Sequence, residues 1–442
     1  MNLTDMPPLY VKFLANYIQG RRAYTVYNQT KSKQRSFHAG VPQGGVLSPA
    51  LFNLFMSDIP KPDNEKGQDL ATYADDVTLL ASHEKIRVAE VYAQEYLDKI
   101  IQWMSDNNLI LADKTQATLC TPDSAEYNHQ LNLNINGVQL ETVKHPKILG
   151  LYFDPKLTFN EHTKKTEAKA KGTLKLIKAL SGTDWGQQQE TLVTTYKQFT
   201  RPILEYACPA WAPTTSATNV ERLQRVQNAA LRTATGHTQD TNIVHLHRET
   251  KVLPLNKHMR LITSQYRESC MDNDHPQHAA AVAPDPDRQM KMTAFNTSYI
   301  TVVHSCTNEG EEKKERIRNK KRLHTAAVSQ HLEEQPIHPL LGAQPPDVHK
   351  EEQSLSRNIR RNLAQLRAQK SPVLKEYLHN IGVEDSPLCP LCGQSAHNTI
   401  HLFRCTAVQT ELTPIDLWRR PARAADLLQR WRADIEAAEM EA

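Results

Sequence analysis

The sequence predicts an α+β chain that runs from mixed helices and hairpins, through a helical middle, to a small C-terminal zinc-binding module. Three observations predict it. Over residues 1–155, apolar spacing switches between helical periodicity and strict alternation, which suggests an antiparallel sheet backed by helices on one face. Over 156–270 the spacing is helical almost throughout. Near the end, "SPLCPLCGQSAHNTIHLFRC" gathers cysteines and histidines at metal-ligand spacing.

Taken in order, "PLYVKFLANYIQG" spaces Leu9, Phe13 and Tyr17 as a helix and stops at Gly20. "RAYTVYNQTKSKQRSFHAG" then alternates and turns as a hairpin. "SPALFNLFMSDI" resumes a helix, with Ser48 as its expected N-cap and Pro49 in its first turn. A second hairpin, "LATYADDVTLLAS", carries adjacent Asp75 and Asp76 between two apolar runs. A long helical stripe follows (Val88, Val91, Leu97, Ile100, Ile101, Met104), and "TQATLCT" reads as a strand.

The middle region opens with a helix holding six lysines between Lys164 and Lys178 against the single Glu167, a candidate electrostatic track for phosphates. The next helix should kink at Pro202. A third places Leu223, Val226, Ala230 and Ala234 on one side, with Gly236 as its C-cap. Residues 271–350 are polar and proline-rich and are expected to form a disordered linker. Within them "KKERIRNKKR", Lys313 to Arg322, holds seven bases and one acid, which reads as a solvated face or a nuclear import signal. Residues 351–442 regain helical order around the cysteine cluster.

Bulk properties narrow the class. No apolar run reaches the ~18 residues that span a bilayer, and "MNLTDMPPLY" lacks the base and apolar core of a signal peptide. Four of the seven cysteines (Cys120, Cys208, Cys270, Cys306) are scattered singly, as suits a reducing compartment. An intracellular protein without a membrane partner is expected.

Two like charges side by side at a hairpin tip repel, unless a divalent cation bound by hard oxygen ligands removes the penalty. An isolated Asp-Asp is more often a solvated turn. About thirty residues upstream, however, stands "HAGVPQGGVLSPALFNLFMSDIP". Its Gly40, Gly44 and Gly45 let backbone pass close to a ligand, Gln43 offers a neutral donor and acceptor, and the following helix turns its positive end toward the loop.

Together these stretches resemble the palm motifs of reverse transcriptases, specifically those of non-LTR (LINE-type, jockey-like) retrotransposons. The resemblance continues in order. "NNLILADKTQATL" is similar to the next palm motif, and "KILGLYFDPKLTFNEHTKK" to the primer-gripping hairpin, with Gly150 at its turn. Tyr196 to Gly236 is similar to the thumb. The resemblance implies a partial right-hand polymerase: incomplete fingers and an antiparallel palm sheet in 1–155, and a helical thumb in 156–270. It implies that Asp75 ligates two catalytic Mg²⁺ ions and Asp76 supports them. Tyr73 would line the primer end, Gln43, Gly44 and Gly45 the template and incoming nucleotide, and Lys114 would protonate the leaving pyrophosphate. Lys114 reads equally well as a surface lysine near a helix end. The implied partners are an RNA template, a DNA primer or target, and dNTPs; the oligomeric state is left open.

The family's palm needs a further metal-binding aspartate before the glycine loop, whereas before Gly40 the only carboxylate here is Asp5. A two-metal site is then incomplete, and the chain is expected to be the inactive-alone C-terminal part of a longer, N-terminally truncated element protein. An alternative is a non-enzymatic nucleic-acid-binding relic of such an element. A group II intron-type maturase shares the palm but not this zinc pattern.

Cys389, Cys392, His401 and Cys405 place four soft ligands around one centre, as a closed tetrahedral Zn²⁺ site requires. His397 is the rival for the third position, with a poorer spacing. The pattern resembles the Cys-Cys-His-Cys element of the same retrotransposons. Just upstream, Arg357, Arg360, Arg361, Arg367 and Lys370 have no acid among them and are expected to meet nucleic acid, which would place the protein in the nucleus.

Overall fold

The computed structural model describes residues 6–182, 185–272, 275, 277–278 and 309–441. The chain divides into two compact units, Met1–Pro146 and Lys147–Ala442.

In the first unit α1 (Pro8–Ile18) ends where Gly20 takes a left-handed φ of 63°. A nested pair of hairpins follows: β1 (Arg21–Ala23) pairs with β4 (Arg35–Phe37), and inside them β2 (Val26–Tyr27) pairs with β3 (Thr30–Lys31). Helix α2 (Ser48–Met56) begins one residue earlier than expected, because Ser48 is its first residue rather than its cap. The Ser48 hydroxyl donates back to the Pro42 carbonyl. Strands β5 (Gln68–Tyr73) and β6 (Asp76–Ala81) form the longest hairpin and pack on α3 (Ile86–Asp106). The unit closes with β7 (Asn134–Ile135) against β8 (Val138–Gln139). Its core is thin: Ala117, Leu131 and Leu133, flanked by Ile86, Ala93, Leu119 and Leu140.

Two expectations fail here. "TQATLCT" is not a strand but contributes one bridge, Ala117 to Thr142. The single antiparallel sheet is absent among the described residues, where every sheet is two-stranded. β5 and β6 pair only with each other, so the hairpin's outer edges carry no ladder bonds.

The second unit starts with the tight hairpin β9 (Lys147–Ile148) and β10 (Leu151–Tyr152), turned by Gly150 at φ 88°. Helix α4 (Asn160–Ala179) packs along α8 (Ala217–Thr235). Between them lie α5 (Gln189–Thr195), a π-turn over Tyr196–Thr200, α6 (Arg201–Glu205) and α7 (Cys208–Trp211). The expected distortion before Pro202 thus takes the form of a π-turn, which absorbs the amide that proline lacks. Helix α8 ends on Gly236 at φ 73°, whose N–H bonds the Arg232 carbonyl, as expected. Helices α9 (Ile243–Thr250) and α10 (Leu255–Cys270) complete a core built on Tyr196, Leu204, Trp211, Leu223, Leu246 and Met259.

The expected linker falls partly outside the described residues, and within them it is not disordered throughout. Helix α11 (Glu309–Glu333) lies along α10, burying Leu323 and Ala327 against Leu253 and Leu261. Its few apolar residues escape a composition-based reading, yet they fall on one face. Then come α12 (Arg357–Arg367), α13 (Lys375–Asn380), the cysteine loop, α14 (Asp416–Arg419) and α15 (Pro421–Glu441). A second core, centred on Leu363, Leu366, Trp418 and Trp431, joins them. The C-terminal region and the helical region before it belong to one compact unit, which begins at Lys147.

Candidate active site and candidate metal centre

Six consecutive pairings fix the β5–β6 register, ending with Tyr73 opposite Asp76. Ala74 and Asp75 make the two-residue turn, and Ala74 sits in the left-handed region at φ 52°. A glycine would hold that conformation without strain; alanine carries about 1–2 kcal/mol. Tyr73, Asp75 and Asp76 all stand exposed at this tip. At the hairpin's base Gly67 adopts φ 59°, and Ser82 donates its N–H to the Gly67 carbonyl at 2.9 Å.

The glycine loop is pinned at both ends. The Arg21 guanidinium donates to the Ala39 carbonyl at 3.1 Å and to that of Gly40 at 2.5 Å, while Ser48 holds Pro42. Gly44 takes φ 81° with open space about it. Gly45 has a different reason: a Cβ there would lie 2.5 Å from Tyr17 Oη and 2.7 Å from Ser48 Oγ. Gln43 and Gly44 are thus presented outward from a fixed loop. Sequence reasoning missed Arg21 and Tyr17, since they act across 18 or more positions and belong to no local motif.

Helix α3 braces both stretches. Phe55 of α2 packs on Trp103 with ring centroids 5.9 Å apart, and Tyr96 donates to the Pro60 carbonyl at 2.8 Å just beyond α2. The β5–β6 hairpin packs on the same helix, with the buried Gln68 side chain donating to the Tyr92 carbonyl at 2.8 Å. Lys114 is exposed in a turn beyond α3. Gly150 belongs to the second unit, where Tyr206 donates to the Leu149 carbonyl at 3.0 Å and covers the turn.

In the cysteine loop the ligand atoms of Cys389, Cys392, His401 and Cys405 all lie within 4.8 Å of one another. Cys389 and Cys405 sulfurs are 4.0 Å apart, and Cys392 Sγ is 3.4 Å from His401 Nε2. These separations are close to the ~3.8 Å edge of a tetrahedron built on Zn–S bonds of about 2.3 Å. The loop folds around Gly393 at φ 64°, which donates to the Cys389 carbonyl at 2.9 Å, while Cys389 donates to the Ser395 carbonyl at 2.8 Å. Burial pushes the Cys389 thiol up to about 11, whereas a backbone hydrogen bond at Gln394 lowers that of Cys392. His397 stays outside the cluster. It stacks on Trp431 at 5.3 Å and accepts the Lys375 N–H at 3.2 Å. His401 therefore takes the third position.

The arginines expected to meet nucleic acid are mostly turned inward. Arg357 donates to the carbonyls of Gly182 and Thr233 at 3.0 Å and of Ala234 at 3.1 Å, thereby capping the end of α8. Arg360 pairs with Glu190, and Arg361 lies over Gly236. Arg367 is buried between Glu249 and Glu352 and donates to the Leu417 carbonyl at 2.7 Å. Lys370 meets Asp240 at 3.1 Å. These groups hold the C-terminal region onto the helical core, which is why their sequence carries no acid of its own: the acids come from other elements.

Residues 4–153 match the family model described as "Reverse transcriptase (RNA-dependent DNA polymerase)". Over these residues, about a third of its length, the chain is similar to the reverse transcriptases. More particularly, the chain is related to the reverse transcriptases of non-LTR transposons. It is 28% identical over 297 residues to the probable RNA-directed DNA polymerase from transposon BS of Drosophila melanogaster, covering 65% of this chain and 32% of that protein. It is 26% identical over 265 residues to the X-element polymerase of the same fly, covering 60% of this chain and 29% of that protein. Identity to the jockey polymerase of the same fly is 26% over 297 residues, or 64% of this chain and 32% of that protein. The matched part of the chain thus spans about a third of these relatives. No solved structure matches it. Among the described residues no helix is long and apolar enough to cross a membrane.

Proposed function

We propose that the chain supplies palm, thumb and zinc-bearing portions of an RNA-directed DNA polymerase that extends a DNA primer along an RNA template. One observation carries the reading. Inside the matched segment, a hairpin of six paired residues a side presents Tyr73, Asp75 and Asp76, a pinned loop presents Gln43, and one helix braces both. Hard carboxylate oxygens suit Mg²⁺, and the exposed pair at the tip is open to it. When bound, the metal ions would stabilise charge on the attacking and leaving oxygens of nucleotidyl transfer. Asp75 would be the ligand and Asp76 its support. Tyr73 would position the primer terminus, while Gln43 and Gly44 position template and nucleotide. Lys114 would give a proton to pyrophosphate, and the Gly150 turn would grip the primer.

Two adjacent carboxylates do not make a complete two-metal set, and Asp5 is the only acid before Gly40. The chain alone is therefore proposed to be inactive in primer extension. Exchanging residues 4–153 into the corresponding segment of the jockey polymerase tests the reading. Template-dependent synthesis should be retained and should vanish with Asp75→Ala. Synthesis indifferent to that substitution would falsify it.

The Cys389, Cys392, His401 and Cys405 cluster is proposed to hold a structural Zn²⁺. Four ligands leave no open position, so the ion would staple the loop rather than catalyse.

A further inference from the structure

We propose that the outer face of α11 is a second nucleic-acid surface, one that binds phosphate backbones independently of base sequence. The polymerase reading gives the Lys313–Arg322 run no role. It is held in a docked helix rather than a loose tail. Asn319, Leu323 and Ala327 are buried on one side, and Asn319 donates to Glu268 of α10 at 3.0 Å. Arg316 is turned to Asp272 at 2.7 Å. That docking fixes what faces outward.

Lys314, Arg318 and Lys321 recur at helical i, i+4, i+7 spacing, so they form one stripe of about 10 Å along the axis. Arg322 flanks it, and all four are exposed. Among the described residues no carboxylate is ion-paired to these four. A rigid row of unpaired cations is what a polyanionic strand matches, with affinity gained through counterion release. The stripe holds no aromatic residue, so it has no platform for stacking bases and would not read sequence. An anionic membrane is the poorer fit. Surface-lying membrane helices offer lipid an apolar face, whereas the apolar face of α11 is already buried against α10 and only Ile317 is a large apolar side chain exposed near the stripe.

This surface requires no polymerase activity, so binding alone tests it. The full chain is titrated against a fluorescein-labelled RNA–DNA hybrid over a salt series. Replacing Lys314, Arg318, Lys321 and Arg322 together by Gln should weaken binding at least about tenfold near 0.1 M salt. It should also flatten the slope of log affinity against log salt by about 3 to 4, since each phosphate contact contributes about 0.9. Neutralising Lys61, Lys85, Arg87 and Lys99, exposed cations of the first unit that carry no assigned role, removes the same net charge elsewhere. The proposal is overturned if the α11 variant binds as the parent does, or if this control variant reproduces its whole effect. It is equally overturned if phosphatidylserine vesicles bind the parent as tightly as the hybrid does and lose binding with the same substitutions. Should the fourfold variant unfold by circular dichroism, Arg318→Glu serves alone: the slope should flatten by about 1, and an unchanged slope overturns the proposal.

Discussion

Arg367 of α12 and Glu249 of α9 form a buried ion pair at 2.7 Å, joining segments 118 positions apart. Glu352 holds the other edge of the same guanidinium. Removing the arginine leaves two carboxylates without a cation in a dry interior. Arg367→Ala should therefore destabilise the chain by about 3–5 kcal/mol, read from urea unfolding. Arg367→Lys should recover only part of this, because an ammonium cannot serve both carboxylates and the Leu417 carbonyl in one planar fork. A loss under about 1 kcal/mol would show the pair to be peripheral.

The cysteine loop leans on Trp431, which donates to the Leu402 carbonyl at 3.2 Å and stacks on His397. Zinc removal should therefore reach beyond the loop. Chelation, or Cys392→Ser, is expected to shift Trp431 fluorescence and lower the thermal midpoint. Because zinc must displace protons from the thiols, including one pushed up to about 11, its affinity should rise with pH between 6 and 8 (about one decade or more per unit). A competition titration with a coloured chelator at several pH values checks this.

His245 and His338 pack edge to face at 5.0 Å, and His338 does the same on Trp418 at 5.1 Å. Burial pushes both imidazoles down to about 4, with Arg248 adding to each and His245 also acting on His338. The unfolded chain takes up these protons near 6.5, so it binds more protons than the native state between there and about 4. Stability should be full above pH 6.5 and fall as pH drops through that window, by about 2 kcal/mol or more in total. His338→Gln should flatten the acid limb of a stability–pH curve. An unchanged limb would assign the loss to other groups.

Gly67 lies at the base of the hairpin with φ 59°, and a Cβ there would collide with the Ser82 carbonyl oxygen. Since that oxygen is backbone, the strand end must move. Gly67→Ala should cost about 1–3 kcal/mol and accelerate amide exchange across β5 and β6. Gly44→Ala meets no neighbouring atom and should cost only the left-handed backbone term, about 1 kcal/mol.

What the sequence determined by itself is local. The α1 stop at Gly20, the β5–β6 hairpin with its aspartates, the buried stripe of α8 and the spacing of the cysteines each depend on residues a few turns apart, where periodicity and backbone preference act. What only the tertiary structure decided concerns partners far along the chain. It chose His401 over His397, because the fold brings a His401 ring nitrogen within 4.8 Å of the three sulfurs and stacks His397 on Trp431 outside the cluster. It made a docked helix of an expected linker, through Leu323 and Ala327 against α10. It turned Arg360 and Arg367 inward to carboxylates 170 and 118 positions away, while leaving Lys314, Arg318 and Lys321 facing water. A charge run announces that counter-charge is needed but not where it comes from, since Coulomb attraction depends on distance in space and not on position in the chain.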